Sequence, residues 1–162
     1  MTEFPTAPLD RPTRTVTVAV LGLVLGVMAL TGVTAEDPAS RALSVGLGAL
    51  ILLLAWGYAP GVLVVDGRVL HVRRRLFGRR EFTVAGRVHR PTWQVGLRSV
   101  RKLGSGGLFG WYGSFWRPGV GSFHAYVTDR SRSVLCETDD GPVVVSPADP
   151  DAFATALREA SS

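Results

Sequence analysis

From Thr15 to Ala35 the chain carries no charged residue, and from Ala42 to Val65 it carries none again. The two runs are 21 and 24 residues long. A helix crossing a bilayer core needs roughly 20 such residues. The pattern predicts two transmembrane helices, at about 15–35 and 42–59, joined by a short external loop. Residues 1–14 precede them as a polar tail that ends at Arg14. Glu36-Asp37-Pro38 stops the first run, and Arg41 precedes the second. Gly46 and Gly48 allow the helices to approach closely. Trp56 and Tyr58 stand near the end of the second run, where amphipathic rings favour the headgroup layer.

Past Pro60-Gly61 the period changes to two. Val62–Val65, Asp66-Gly67 and Arg68–Arg74 read as a hairpin, with Leu70 and Val72 on one face and His71 and Arg73 on the other. Leu76–Arg79 reads as a turn and Arg80–Val84 as a strand. Trp93 to Leu103 is ambiguous, because Val95, Leu97 and Val100 fit neither period. Strands follow at about Trp111–Arg117 and Ser122–Thr128, joined through Pro118-Gly119. A further hairpin pairs Ser133–Thr138 with Val143–Ser146 around Asp139-Asp140-Gly141. A last helix occupies about 147–160, capped by Ser146 or Asp149, with Phe153, Ala156 and Leu157 as its apolar stripe. About seven strands and one helix over residues 60–162 make a small β-sandwich or barrel plugged by a helix.

The net charge of +5 is unevenly spread. Residues 66–102 hold ten Arg and one Lys against two acids, a net of +9. Basic charge packed just after a span favours an anionic membrane surface over nucleic acid. The loop at 36–41 holds only Arg41, against Arg11 and Arg14 before the first run and six arginines soon after the second. By the positive-inside rule both termini are cytoplasmic. Val33-Thr34-Ala35 resembles a signal peptidase site, so cleavage of the first helix stays open beside the uncleaved hairpin.

The order of two membrane helices, a β domain and a closing helix resembles the bacterial pleckstrin-homology-like (bacterial PH) membrane proteins. The stretch from Leu103 to Phe115 is similar to the glycine-rich middle of one such family. So are Ala125-Tyr126-Val127-Thr128 and the ending from Val145 to Pro150. The resemblance covers roughly residues 58–160. It implies a PH-like barrel or sandwich closed by a C-terminal helix, and a non-enzymatic domain at the inner face of a bacterial plasma membrane. Eukaryotic PH domains bind phosphoinositides through basic residues of the first hairpin. Arg68, Arg73 and Arg75 lie on the comparable hairpin here.

Chemistry-bearing residues are sparse. The glycine-rich stretch lacks the Lys-Ser/Thr of a phosphate loop and leads into a strand, so a turn or bulge is expected. His71, His89 and His124 share no metal-ligand spacing, and Ser105, Ser114 and Cys136 have no recognisable base partner. No catalytic residue, cofactor or metal is expected. Arg68, Arg73, Arg74, Arg75, Arg79 and Arg80 form the candidate lipid-facing patch, acting through total charge rather than a pocket. Trp111, Tyr112 and Trp116 form the candidate partner surface. The reading is a multi-pass, membrane-anchored PH-like module that binds or scaffolds membrane proteins or anionic headgroups. The alternative is an accessory subunit or cryptic enzyme of envelope metabolism.

Overall fold

The computed structural model describes residues 1–35, 37–96 and 98–161. Glu36, placed in the stop after the first run, and Leu97, placed in the ambiguous stretch, lie outside the described residues.

Two long helices come first, α1 (Arg11–Thr34) and α2 (Pro38–Tyr58). Both start about four residues before the uncharged runs do, because the cap decides the start. The Asp10 carboxylate accepts from Thr13 N–H at 2.8 Å, and Asp37 accepts from Ser40 N–H at 2.9 Å. A proline stands in the first turn of each helix, where its missing N–H costs nothing. Ala59 ends α2 in an extended conformation, as the residue before a proline must. At 1.5 Å per residue the helices span about 36 Å and about 31 Å, against a bilayer core of about 30 Å. Only 6% of the most apolar window of each is buried, so they are not the core helices of a globular domain. Leu23, Leu25, Leu30, Leu43, Leu47 and Leu53 are all exposed. Both helices are long and apolar enough to cross a membrane. They meet at Gly48, where an added Cβ would lie 2.7 Å from Met28 Sδ. Gly46, expected to share that role, has open space around it.

Nine strands among the described residues form one sheet: β1 (Thr2–Pro5), β2 (Pro60–Asp66), β3 (Val69–Arg74), β4 (Arg79–His89), β5 (Val100–Gly106), β6 (Trp111–Arg117), β7 (Gly121–Val127), β8 (Val134–Thr138) and β9 (Gly141–Val145). Helix α3 (Pro150–Ser161) follows them. The order across the sheet is β1-β2-β3-β4-β8-β9-β7-β6-β5, antiparallel except for the β7–β9 pair. The expected barrel does not close. Strands β1 and β5 remain edges, and Glu3 on one and Arg101 and Lys102 on the other are exposed charges of the kind that blunt edges.

Alternation on the strands divides the core. Val143 and Val145 of β9 face one cluster with Leu63, Leu70, Val72, Phe82, Val84 and Cys136. Val144 faces the other, with Val95, Phe115, Phe123, Val127 and Leu135. Helix α3 covers the first cluster with Phe153, Ala154 and Leu157. Ala154 thus takes the place expected for Ala156, which is only partly buried. Asp149 is the cap, accepting from Ala152 N–H at 3.0 Å. Ser146, the other candidate cap, is instead fully buried, and its hydroxyl accepts from Thr128 N–H at 2.7 Å.

The first hairpin turn also differs from expectation by one residue. Asp66 pairs with Val69, so the central residues are Gly67 and Arg68, and only Gly67 has positive φ, +55°. This is a turn with glycine first rather than Asp-Gly at its centre. Strand β4 runs on past Val84 to His89 through an irregularity between Val84 and Val88.

Residues 1–14, expected as a polar tail, instead supply β1 and the start of α1. Strand β1 pairs with β2, from Thr2 opposite Val65 to Pro5 opposite Val62. Beyond it the chain is strapped to the β domain. Thr6 Oγ1 donates to Gly61 O at 3.0 Å, Ala7 N–H to Ser146 O at 2.8 Å and Asp10 N–H to Thr128 O at 3.1 Å. Arg130 Nε donates to Asp10 Oδ2 at 2.8 Å, and both side chains are about seven-eighths buried.

Burial of the Asp10 carboxyl opposes its charge, but the bonds from Arg130 and Thr13 outweigh it and hold the group below its ordinary 3.8. A depressed carboxyl stabilises the fold above its unfolded pKa, and that contribution is lost as pH falls through the folded value. Asp10→Asn should therefore lower stability by about 3 kcal/mol at neutral pH, since it strands a buried guanidinium. Melting of the full chain in detergent should show the wild type losing stability below about pH 4 and the variant losing less. Equal acid sensitivity in both would remove Asp10 as the cause.

Candidate functional site

The site lies where the end of α2 meets the sheet. The β3–β4 turn is clamped onto the last turn of α2. Leu76 N–H donates to Gly57 O at 3.0 Å and Arg75 N–H to Ala59 O at 3.1 Å. The Tyr58 and Phe77 rings stack at 4.6 Å. Gly57 is buried, and a Cβ there would collide with the Phe77 ring, so the close approach requires glycine. Strand β6 adds a third tie, because the Tyr112 hydroxyl donates to Ala55 O at 2.5 Å.

The pleat then sorts the arginines. Directly opposed residues of an antiparallel pair share a face, and neighbours along a strand do not. Leu70 and Val72 are buried on the inner face of β3, and Arg74 continues that face. Val72 opposes Arg80, so Arg80 joins it from β4. Arg73 and Arg79 oppose one another on the outer face. Each pairs there with a carboxylate, Arg73 with Glu3 at 3.3 Å and Arg79 with Glu81 at 2.8 Å. Arg75 sits beyond the strand with its guanidinium 5.5 Å from the Trp56 ring, and Arg74 lies 5.2 Å from the Tyr58 ring. Arg68 stands at the opposite end of the hairpin and donates to Val84 O at 3.3 Å. The six arginines of the sequence are thus three groups. Arg74, Arg75 and Arg80 gather at the helix end, Arg73 and Arg79 are paired outside, and Arg68 is remote.

Arg74 and Arg80 open onto a cleft of about 510 Å³ between α2 and the sheet. Leu54, Ala55 and Tyr58 of α2 form one wall. Leu103, Gly104 and Ser105 of β5, Tyr112, Gly113 and Ser114 of β6, and His124 and Tyr126 of β7 form the other. Among the described residues no carboxylate lines it. Burial, with help from Arg80 and against Asp140, pushes the His124 imidazole below its ordinary 6.5, so it is neutral at pH 7. Burial also raises the Tyr112 and Tyr126 phenols. The cleft therefore carries two fixed positive charges. Ser114 and His124 oppose one another across β6 and β7.

The glycine-rich stretch is the β5–β6 hairpin and its tip. Gly104 and Gly113 are paired, with φ of +119° and +122°, and a Cβ on either would strike the opposite backbone. An irregularity between Arg101 and Leu103 adds the expected bulge. The tip docks on α1: Thr17 Oγ1 donates to Gly107 O at 3.1 Å and accepts from Phe109 N–H at 3.0 Å.

The aromatic trio does not form one surface. Tyr112 is 6% exposed and belongs to the core. Trp111 packs against the second core cluster, and its Nε1–H donates to Thr13 Oγ1 at 3.3 Å. Trp116 alone of the three is exposed. Alternation on β6 turns Trp111 to one face and Tyr112 and Trp116 to the other, and Trp116 is exposed near the strand end, beyond the core that holds Tyr112. Elsewhere, burial pushes the Cys136 thiol up to about 12, which leaves it protonated and unreactive at neutral pH. Among the described residues no three His, Cys, Asp or Glu side chains gather as a metal site.

The family model described as bacterial PH domain matches residues 63–161. The chain belongs to the bacterial PH domain family. The match runs from within β2 through α3, and leaves β1, α1 and α2 outside it. No curated protein and no solved structure matches the chain. Within this bacterial PH domain the cleft opens toward the flanking helices, at the end of the first hairpin away from its turn.

Gly113→Ala should open the β5–β6 hairpin, because both its φ and the space at Leu103 O forbid a side chain. Amide hydrogen exchange should rise across residues 100–117 while α3 stays protected. Unchanged exchange there would show that the hairpin tolerates a Cβ.

Proposed function

We propose that the chain is a non-catalytic PH module anchored by two membrane spans, lying against the inner face of the membrane and binding its anionic surface. The observation that carries this is the clamp at Gly57, Tyr58 and Phe77. It fixes Arg74 and Arg75 against Tyr58 and Trp56 at the end of an apolar helix, which is headgroup depth for a spanning helix. Each basic residue near an anionic leaflet contributes on the order of 1 kcal/mol.

The strap supports a topology. Strand β1 is paired in the same sheet as β2, so α1 must leave the domain and α2 must return to it. Both termini then lie on one side, and the arginine count makes that side cytoplasmic. Cleavage after Ala35 would discard β1 and the Asp10–Arg130 pair, which supports the uncleaved hairpin.

Single cysteines test the topology, since buried Cys136 stays silent. In intact cells an impermeant maleimide should label Ala39→Cys and spare Thr2→Cys and Ser131→Cys until the membrane is opened. The reverse pattern would invert the orientation. For the surface itself, the full chain goes into phosphatidylcholine nanodiscs with and without phosphatidylglycerol. Hydrogen exchange at residues 73–80 should slow with the anionic lipid. That protection should fade above about 0.1 M salt, where screening acts within about 10 Å. No difference between the two lipids would remove the anionic surface as a partner.

A further inference from the structure

We infer that the cleft between α2 and the inner face of the sheet holds the anionic headgroup of a single membrane phospholipid, with an acyl chain running along Leu54. The inference rests on the membrane-anchored reading and narrows it from a charged surface to one site.

The two guanidinium groups are not spent elsewhere. The Arg80 side chain makes no hydrogen bond or ion pair among the described residues. Arg74 Nε is buried and has no acceptor among them. The hydroxyls of Ser114 and Tyr126 make no protein hydrogen bond either, so donors converge on a space without a carboxylate. Two such cations with free donors match the oxygens of a phosphate. A buried polar atom left unpaired is costly, and an anionic oxygen at Arg74 removes that cost.

The walls decide between a free anion and a lipid. Leu54 and Leu103 both line the cleft and are exposed, Leu103 by 77%. Leu54 lies one turn before the end of α2, about 6 Å deeper along the helix than Tyr58. A soluble phosphate gains nothing from those side chains. An amphiphile does, because its charge sits at the sheet and its chain continues along the outside of α2. The space, about 510 Å³, suits a headgroup and the start of a chain. Pleat parity supplies a built-in comparison: Arg79 is next to Arg80 in sequence but lies on the outer face with Glu81.

The test uses the full chain, extracted from phosphatidylcholine vesicles containing phosphatidylglycerol and weighed intact by native mass spectrometry in detergent. One phosphatidylglycerol per chain should be retained. Arg80→Gln should cut its occupancy about tenfold, the effect of one charge-assisted hydrogen bond. Leu54→Trp should cut it by filling the apolar wall, and Arg79→Gln should leave it unchanged. Melting temperatures confirm that each variant is folded, and Arg80 is exposed enough to replace without cavity formation. Equal losses in Arg79→Gln and Arg80→Gln would overturn the site and leave only a diffuse charged surface. So would the absence of retained lipid in the wild type. Displacement by inorganic phosphate as readily as by lipid would replace the lipid with a free anion. If salt-sensitive protection of residues 73–80 persists while no lipid is retained, the cleft fails and the surface reading stands.

Discussion

Thr6 and Gly61 are joined by a hydrogen bond, and the 54 residues between them must leave that point and come back to it. This closure sets the rest of the architecture. Strands β1 and β2 act as a hairpin whose connection is two long helices rather than a turn. The start of α1 and the end of α2 are consequently held on the same domain. Asp10 fixes one to Thr128 and Arg130 just after β7, and Thr13 and Thr17 fix it to β6 and the β5–β6 tip, while Gly57, Tyr58 and Phe77 fix the other to β3 and β4. The cleft exists because these two attachments leave a gap between α2 and the sheet.

A second constraint is the two-residue period of the strands. It carries the apolar inner face of β3 and β4 outward until Leu70, Val72 and Phe82 give way to Arg74 and Arg80. The same period turns Arg73 and Arg79 to the other face, where exposed pairs with Glu3 and Glu81 are weak. A run of like charges in sequence thus becomes two populations with different surroundings. One touches aromatic rings and the cleft beside α2, and the other pairs with carboxylates on the outer face.

Much of the fold was legible. The apolar runs gave α1 and α2, the turn glycines gave the hairpins, and Trp111–Arg117 is a strand with the bounds expected from its flanking punctuation. The parts that were not legible share a cause. Strand β1 is four residues with one large apolar side chain, Phe4, and a proline, so it has no period of its own and exists only by pairing with β2. Strand β5 is an edge whose Val100 and Leu103 are exposed, and its irregular register breaks the alternation. The glycine-rich stretch read as a turn or bulge because glycine lacks a face, and Gly104 sits inside the ladder opposite Gly113 of the expected strand. The cleft was out of reach altogether. It draws residues from α2, β3, β4, β5, β6 and β7, from Leu54 to Tyr126, and no short window holds more than one wall.

The strap also bears on how the molecule is made. Strand β1 leaves the ribosome before β2, which follows more than 50 residues later. At about 5–20 residues per second this wait lasts about 3–10 seconds. In the proposed topology both apolar helices cross the bilayer during it. In that topology a chain that threaded only one of them would leave β1 and β2 on opposite sides of the bilayer, with β2 as a raw sheet edge. In that topology, pairing of β1 with β2 works as a count of completed crossings, since only an even number brings the two strands to one side.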